Sequence, residues 1–207
     1  MTISSLATAG GTLVLAVATF ASVRSANRSA RVAERSLLLG LRPVLFPSGE
    51  QDPSVEIYFG DEHEFRVGGG VGAVEESNGI VYMAIPLRNV GAGLAVLHGW
   101  HVTRGRSSGD PRDRVDDFRQ QQIDLYVPAG GTGFWQGAVR DENELFMEPA
   151  REAVRNRERL TIDLLYGDHE GGQRTISSFV LTPGDGYAWS ARVIRHWSLE
   201  GLDPRPF

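Results

Sequence analysis

The chain contains no cysteine and no lysine, so all 21 of its basic residues are arginine. Without cysteine the protein has no disulfide framework, no thiolate metal site and no cysteine nucleophile. Without lysine it has no Schiff-base chemistry and no phosphate-loop lysine. These absences exclude small disulfide-stapled domains and several classes of enzyme.

Charge is also absent from residues 3–23, and four arginines follow that stretch on one helical face: Arg24, Arg28, Arg31 and Arg35. At about 1.5 Å per residue, an uncharged helix of this length reaches roughly 30 Å, the hydrocarbon thickness of a bilayer. Basic residues beside a span stay in the cytoplasm. We therefore predict a single-pass anchor in the plasma (inner) membrane over residues 1–23. A basic juxtamembrane helix over residues 24–42 would contact membrane lipids, and the C-terminal domain would be cytoplasmic.

Two alternatives to a retained anchor stay open: a cleaved signal peptide and a buried or peripheral helix. Ala16-Val17-Ala18 resembles a small-residue cleavage site, although the positive n-region of a signal peptide is lacking. Small residues also form a stripe along the helix, with spacings of four and three, which makes a homodimer through this face a candidate. Because small residues make up most of the segment, such a stripe also arises by chance.

The rest of the chain is acidic. Residues 24–42 contain five arginines and one glutamate, a net +4, so that the other residues must carry −9 to give the overall −5. An acidic domain repels a phosphate backbone, which argues against nucleic acid as a partner.

Residues 43–207 are predicted to form one domain with a mainly β fold, an antiparallel sandwich with one or two short helices. Short β-branched and aromatic runs alternate there with Gly, Pro, Asn and Asp, as in antiparallel sheets. The predicted strands are residues 55–59, 64–67, 80–88, 94–103, 122–127, 134–139, 159–166, 174–181 and 187–197. Alternation over residues 160–166 predicts a strand with one buried face. Short helices are predicted over residues 149–159 and, capped by Asp110, up to residue 118.

Three segments carry a resemblance to the immunoglobulin-like sandwiches of bacteria. They are residues 88–95 (RNVGAGLA), residues 127–131 (VPAGG), and residues 162–181 with Tyr166-Gly167-Asp168 and Thr175. The whole chain resembles uncharacterised single-pass membrane proteins of bacteria that carry such a C-terminal domain. The resemblance implies an immunoglobulin-like fold and a membrane location, and it implies no catalytic residues.

Two constellations could carry chemistry. Gly105-x-Ser107-x-Gly109 has the letters of a hydrolase nucleophile elbow, with Asp163 and His169 in the right order, but the elbow needs a parallel sheet with crossover helices. Asp168-His169-Glu170, together with His63, offers ligand types suited to a divalent metal. Since adjacent strand residues point to opposite faces, a solvated turn is the simpler interpretation. A metal-assisted hydrolase that uses this loop is the alternative function.

The chain's four tryptophans suit either a core or a binding surface. Trp135, which follows Phe134, and Trp197, near the end of the last strand, are the candidates for an interaction surface. The sequence predicts a non-catalytic, membrane-tethered interaction or scaffold module with no cofactor or metal.

Overall fold

A computed structural model describes residues 3–107, 109–144 and 146–200, and within its first helix the side chains of residues 3–14, 35, 38 and 39 lie outside this description. The chain divides into two compact units, Met1–Gly40 and Leu41–Phe207. The first unit contains helix α1, Ile3–Gly40, which runs without a break from the predicted anchor into the predicted juxtamembrane helix.

Helix α1 exposes large apolar side chains along its described part. Leu15 and Phe20 are each 69% exposed, and Val17 is 62% exposed. A search of the described residues finds no helix that is long and apolar enough to cross a membrane. The apolar side chains of residues 3–14 lie outside that description, so the anchor stays a prediction, as does the homodimer.

The second unit is mainly β, which confirms the predicted fold class at this level. Its described strands are β1 (Leu45–Pro47), β2 (Val55–Tyr58), β3 (Glu64–Val67), β4 (Val71–Ser77), β5 (Ile80–Asn89), β6 (Ala95–Arg104), β7 (Arg119–Gln120), β8 (Tyr126–Val127), β9 (Thr132–Val139), β10 (Leu160–Gly167), β11 (Thr175–Pro183) and β12 (Ala188–Ser198). A 3-10 helix, Pro111–Asp117, follows the Asp110 cap, and helix α2 spans Met147–Arg155.

The strands form one curled antiparallel sheet and a separate hairpin. The order in the large sheet is β1-β5-β4-β12-β11-β10-β6-β7, with β9 paired to β5 and β8 paired to β6, while β2 pairs with β3. Because β5 lies between β9 on one side and both β1 and β4 on the other, it holds one half of the sheet together.

Apolar side chains pack on both faces of β5. Met83 and Ile85 belong to the inner core, the large buried cluster inside the curl. Tyr82 and Ala84 point the other way, as the alternation of a strand requires, into an outer cluster that the β2–β3 hairpin covers with Phe65. The sheet is therefore buried on two sides around β5.

The prediction that strand β10 has one buried face is wrong, because every residue from Leu160 to Gly167 is buried. Asp163 has no exposed surface and accepts a hydrogen bond from Ser178 Oγ, and Arg114 of the 3-10 helix lies 3.4 Å away. The segment around the 3-10 helix thus contributes polar partners to the face that alternation assigned to solvent.

Candidate binding site

The curled sheet has two joins between its halves, and they are built differently. On one side, β4 and β12 pair through backbone, with Ala73 opposite Ala188 and Val71 opposite Ser190. On the other side, β9 pairs only with β5, and β7 and β8 pair only with β6. We call the strip between β9 and the β7–β8 segment the seam.

Three polar side chains connect the two sides of the seam by donating to backbone carbonyls. Arg119 Nη1 donates to Ala138 O over 2.9 Å, and Gln121 Nε2 donates to Gln136 O over 3.2 Å. Asn89 Nδ2 donates to Val127 O over 3.1 Å. Each contact supplies a hydrogen-bond partner for a carbonyl that faces the seam.

Asn89 makes the most hydrogen bonds of the three side chains. It is completely buried, and its Nδ2 also donates to Gly93 O over 2.7 Å. Its Oδ1 accepts from Val44 N over 3.1 Å and from Gly91 N over 3.0 Å. One side chain therefore fixes the chain before β1, the turn after β5 and strand β8.

A cleft of about 130 Å³ lies at the seam. Residues of the β7 segment line one wall and residues of β9 line the other, while the turn after β2 and Arg140 complete the rim. Trp100 also lines the cleft, and its ring meets that of Trp135 edge-on at 5.5 Å. The incomplete closure of the sheet thus leaves a small concave site with an aromatic group.

Two buried glutamines are among the residues that line this cleft. Gln121 is 6% exposed and Gln136 is 5% exposed. The amide nitrogen of Gln121 donates to the carbonyls of Ile123 and Gln136, and that of Gln136 donates to the Asp124 carboxylate. Because these partners accept only, each amide has one orientation, and neither Oε1 finds a donor among the described residues.

Paired charges surround the cleft. Arg119 pairs with Glu144 at 2.7 Å and lies over the Trp100 ring, with its Cζ 5.3 Å from the ring centroid. Arg140 pairs with Asp61 at 3.1 Å. Burial works to raise the pKa of Asp61, but hydrogen bonds from Tyr82 and Arg140 outweigh it and hold the pKa below its usual value. Burial and the bond to Asp61 raise the pKa of Tyr82 to about 12.

Trp135 is not at a surface, contrary to the prediction. It is 1% exposed and belongs to the inner core. A Cβ on Gly137 would come within 2.7 Å of the Trp135 ring, so the absence of a side chain there gives the indole its space. Trp135 supports the cleft from within through its contact with Trp100.

Trp197 is half-buried and lies under guanidinium groups. The Arg195 Cζ is 3.7 Å from its ring centroid, and the Arg112 Cζ is 5.2 Å away. Cation–π contacts of this kind cover the ring. Of the two residues predicted to form an interaction surface, Trp135 and Trp197, only Trp197 is partly exposed. Two arginine side chains lie over its ring.

The predicted collar lies on α1. Arg24, Arg28 and Arg31 are exposed there, while the side chain of Arg35 is outside the described residues. Contact of these arginines with lipid stays a prediction.

The elbow residues do not form a triad. Arg114 donates to Ser107 Oγ over 2.8 Å and lies beside Asp163, so an arginine stands where a nucleophilic serine needs a base. His169 has an exposed side chain on the β10–β11 turn. Burial raises the pKa of Asp163 despite the hydrogen bond from Ser178.

The loop of the alternative hydrolase is a folded turn. Asp168 is only 4% exposed, and its Oδ1 accepts from Glu170 N over 3.1 Å and from Gly172 N over 2.9 Å. His63 stacks on Tyr82, with the ring centroids 3.8 Å apart. Within residues 3–107, 109–144 and 146–200, no three or more His, Asp and Glu side chains are grouped so that they could hold a metal ion.

Comparison of the chain with models of protein families, with curated proteins and with solved structures gives no match. The candidate site consequently rests on its geometry. Sequence reasoning did not find Asn89, Gln121 or Gln136. The run of three glutamines at residues 120–122 was the one visible signal, since amides in a β-rich region need partners when they are buried.

Proposed function

We propose that this protein is a non-catalytic binding module, held at the cytoplasmic face of a membrane by its N-terminal helix. The observation that carries the binding role is the cleft at the seam. It is lined by Trp100, by three neighbouring glutamines and by two arginines, which are side chains that can bind and orient a ligand. Among the described residues that line it there is no serine, histidine or carboxylate, and the two carboxylates beside it, Asp61 and Glu144, are paired with arginines.

The surface of α1 supports the membrane role. Exposed apolar side chains at Leu15, Val17 and Phe20 precede exposed arginines at Arg24, Arg28 and Arg31. An apolar surface of this kind partitions into the bilayer, and basic residues next to it bind anionic headgroups. Basic residues that follow an apolar stretch favour a cytoplasmic position for the domain after them, which supports this orientation.

The second unit is, in this proposal, a variant of the immunoglobulin-like sandwich. Its antiparallel strands and buried aromatic core support that relation. It differs from the usual plan because both halves belong to one sheet that curls through the β4–β12 join.

Fractionation of cells that express the full chain tests the membrane role. We expect the protein in the membrane pellet, retained after an alkaline carbonate wash and released by detergent. A reporter fused after Phe207 should be active only if it works in the cytoplasm. Recovery in the soluble fraction, or strong alkaline phosphatase activity from the fusion, would contradict the proposal.

A charge-matched pair of variants tests the collar. Replacing Arg24, Arg28 and Arg31 by Gln should weaken membrane retention or scramble orientation, since each basic residue near an anionic surface contributes about 1 kcal/mol. The same change at three exposed arginines of the domain, Arg66, Arg157 and Arg192, should leave both unchanged. Equal behaviour of the two triple variants would show that the collar has no special role.

A further inference from the structure

Strand β1 is held by backbone pairing on one side and by a side-chain hydrogen bond on the other. It pairs with β5 only, where Leu45 lies opposite Asn89. Leu45 N donates instead to Tyr166 Oη of β10, over 3.2 Å. Leu45 and Tyr166 are both completely buried, so this N–H depends on the hydroxyl as its acceptor. A change at the Tyr166 hydroxyl therefore acts on β1.

The Tyr166 hydroxyl continues into two further polar contacts. Its Oη lies 2.8 Å from Ser177 Oγ, and Ser177 Oγ lies 2.6 Å from His196 Nδ1. Ser177 has no exposed surface, whereas His196 of β12 is partly exposed. We call the three contacts from Leu45 N to His196 Nδ1 the relay. It joins a buried backbone amide to an imidazole that can exchange a proton with solvent.

The direction of each bond in the relay follows from counting hydrogens. A backbone N–H only donates, so Tyr166 Oη accepts from Leu45, and its own hydrogen goes to Ser177 Oγ. The Ser177 hydrogen then goes to His196 Nδ1, which must carry no hydrogen. Three hydrogens fill three contacts, and the imidazole is neutral with its hydrogen on Nε2.

Protonation of the imidazole puts a fourth hydrogen into the relay. Nδ1 becomes a donor, and one hydrogen has no acceptor whichever way the hydroxyls turn, which is costly for a buried group. One way out is that Leu45 leaves Tyr166, at the longest of the three contacts. The other is that the His196 ring turns away and leaves Phe46 of β1, whose ring centroid lies 5.1 Å from its own. Both ways loosen β1.

The segment before β1 also opposes a charge on His196. Arg42 donates to Thr175 Oγ1 of β11 over 3.0 Å. Burial and then the Arg42 guanidinium lower the pKa of His196. Among the described residues Arg42 is the charged group that acts on this imidazole, while the strands packed against it supply Ser177, which does not titrate, and Tyr166, whose pKa is raised by burial. A protonated His196 therefore repels the chain that leads into β1.

We propose that the relay is a pH-sensitive latch on β1, closed while His196 is neutral and released when His196 takes up a proton. Strand β1 is the first strand after α1 along the chain. The latch therefore acts on the segment that connects the helix to the domain. It depends on neither the cleft nor the membrane role, so it can fail while they stand.

Amide hydrogen exchange of the full chain in detergent micelles, between about pH 7.5 and about pH 4.5, tests the latch. After correction for the pH dependence of chemical exchange, we expect the protection of the Leu45 amide to fall about tenfold or more, the scale of a buried donor that loses its acceptor. Protection in β10 should change much less. No change at Leu45, or an equal loss in β10, would overturn the proposal.

Three variants identify the group that titrates. His196→Asn keeps an acceptor close to the position of Nδ1 and does not titrate, so the response at β1 should disappear. His101→Asn, at another histidine whose pKa is lowered by burial, is the control and should keep the response. Arg42→Met should keep it as well, with the midpoint moved to higher pH because a repelling charge is gone. A response that survives in a folded His196→Asn protein, or that vanishes in Arg42→Met, would overturn the proposal.

The imidazole nitrogens test the latch without a variant. Long-range 1H–15N spectra of the full chain, labelled with 15N, should show at about pH 7.5 that His196 carries its hydrogen on Nε2 and none on Nδ1. A hydrogen on Nδ1 at that pH would place four hydrogens in three contacts and would overturn the proposal. These spectra and the exchange of the unmodified chain decide the question if His196→Asn does not fold.

Discussion

The two joins of the curled sheet achieve the same closure by different means. At the β4–β12 join the two strands pair through their backbones, and the side chains need only leave room for this pairing. At the seam the contacts are made by the side chains of Asn89, Arg119 and Gln121. A ladder survives most substitutions, whereas a side-chain contact disappears with its residue. The seam is thus the join that mutation can open, and it is also where the cleft lies.

The largest effect is expected at Asn89. Asn89→Ala leaves the donors of Val44 and Gly91 and the carbonyls of Gly93 and Val127 without their partner. Since each unsatisfied buried group costs about 1–3 kcal/mol, we expect a loss of about 3 kcal/mol or more in the free energy of unfolding by urea. Asn143→Ala, at an exposed asparagine, is the control and should stay within about 0.5 kcal/mol. A small effect at Asn89 would mean that the seam contributes little to closure.

The backbone join should respond to volume instead. A Cβ on Gly72 would lie 2.9 Å from Leu181 Cδ2 and 3.0 Å from Ala84 O. Gly72→Val should therefore cost about 1–3 kcal/mol through overpacking, measured in the same urea titration. Gly60→Val, where a Cβ meets nothing within 4 Å, is the control. If both variants are equally stable, the β4–β12 contact is looser than described.

Loss of one side-chain contact at the seam, that of Arg119, should have a smaller and more local effect. Arg119→Met removes the bond to Ala138 O and the ion pair with Glu144 while keeping most of the apolar stem. We expect about 1–2 kcal/mol, together with faster amide hydrogen exchange in β9 than in β4 or β12. Arg192→Met, at an exposed arginine, should alter neither. Uniformly faster exchange across the domain would show that the seam does not open as a separate unit.

The smallest effect is expected from acid. Burial lowers the pKa of His98, His101 and His196 below 6.5, and all three lie on β6 or β12. Below pH 6.5 the unfolded chain then binds more protons than the folded one. The free energy of unfolding should be level above pH 6.5 and fall as the pH drops towards the lowered values.

Histidine variants check the origin of that pH dependence. Replacing His196 by Asn should flatten the fall in stability between pH 6.5 and pH 5, whereas His169→Asn, at an exposed turn, should leave the slope unchanged. An unfolding free energy that rises on acidification in this window would contradict the assignment. Asp163, whose pKa is raised by burial, contributes to the pH dependence in that opposite sense.

Sequence patterns predicted the strands whose side chains alternate or form apolar runs. Residues 80–88 and 159–166 were placed within one residue of β5 and β10. Strand β4 was missed because the glycines before Ala73 are typical of a flexible loop. Gly72 lies in a strand for another reason: two neighbours approach too closely for a side chain. These neighbours belong to other strands, so the need for a glycine at this position cannot be seen in the local sequence.

The candidate site could not be predicted for a related reason. Asn89, Gln121 and Gln136 are separated by more than a dozen residues, and no local period connects them. They meet because the sheet curls, and the curl depends on pairings such as β4 with β12 that no motif encodes. The adjacent aromatics at Phe134 and Trp135 indicated an outward-facing ring, but Gly137 provides space for Trp135 inside. The segment around Asp168 likewise has the composition of a solvated turn, but the Asp168 carboxylate is a buried hydrogen-bond acceptor.

Strand β5 limits how this sequence can change over time. From Val81 to Leu87 it supplies the inner core through one face and the outer cluster through the other. A substitution at Met83 must be matched by a neighbour inside the curl, and one at Tyr82 by a neighbour under the hairpin. Between Val81 and Leu87 neither face of the strand is exposed. Drift should therefore be slowest along β5, and changes there should come paired with compensating changes in one cluster or the other.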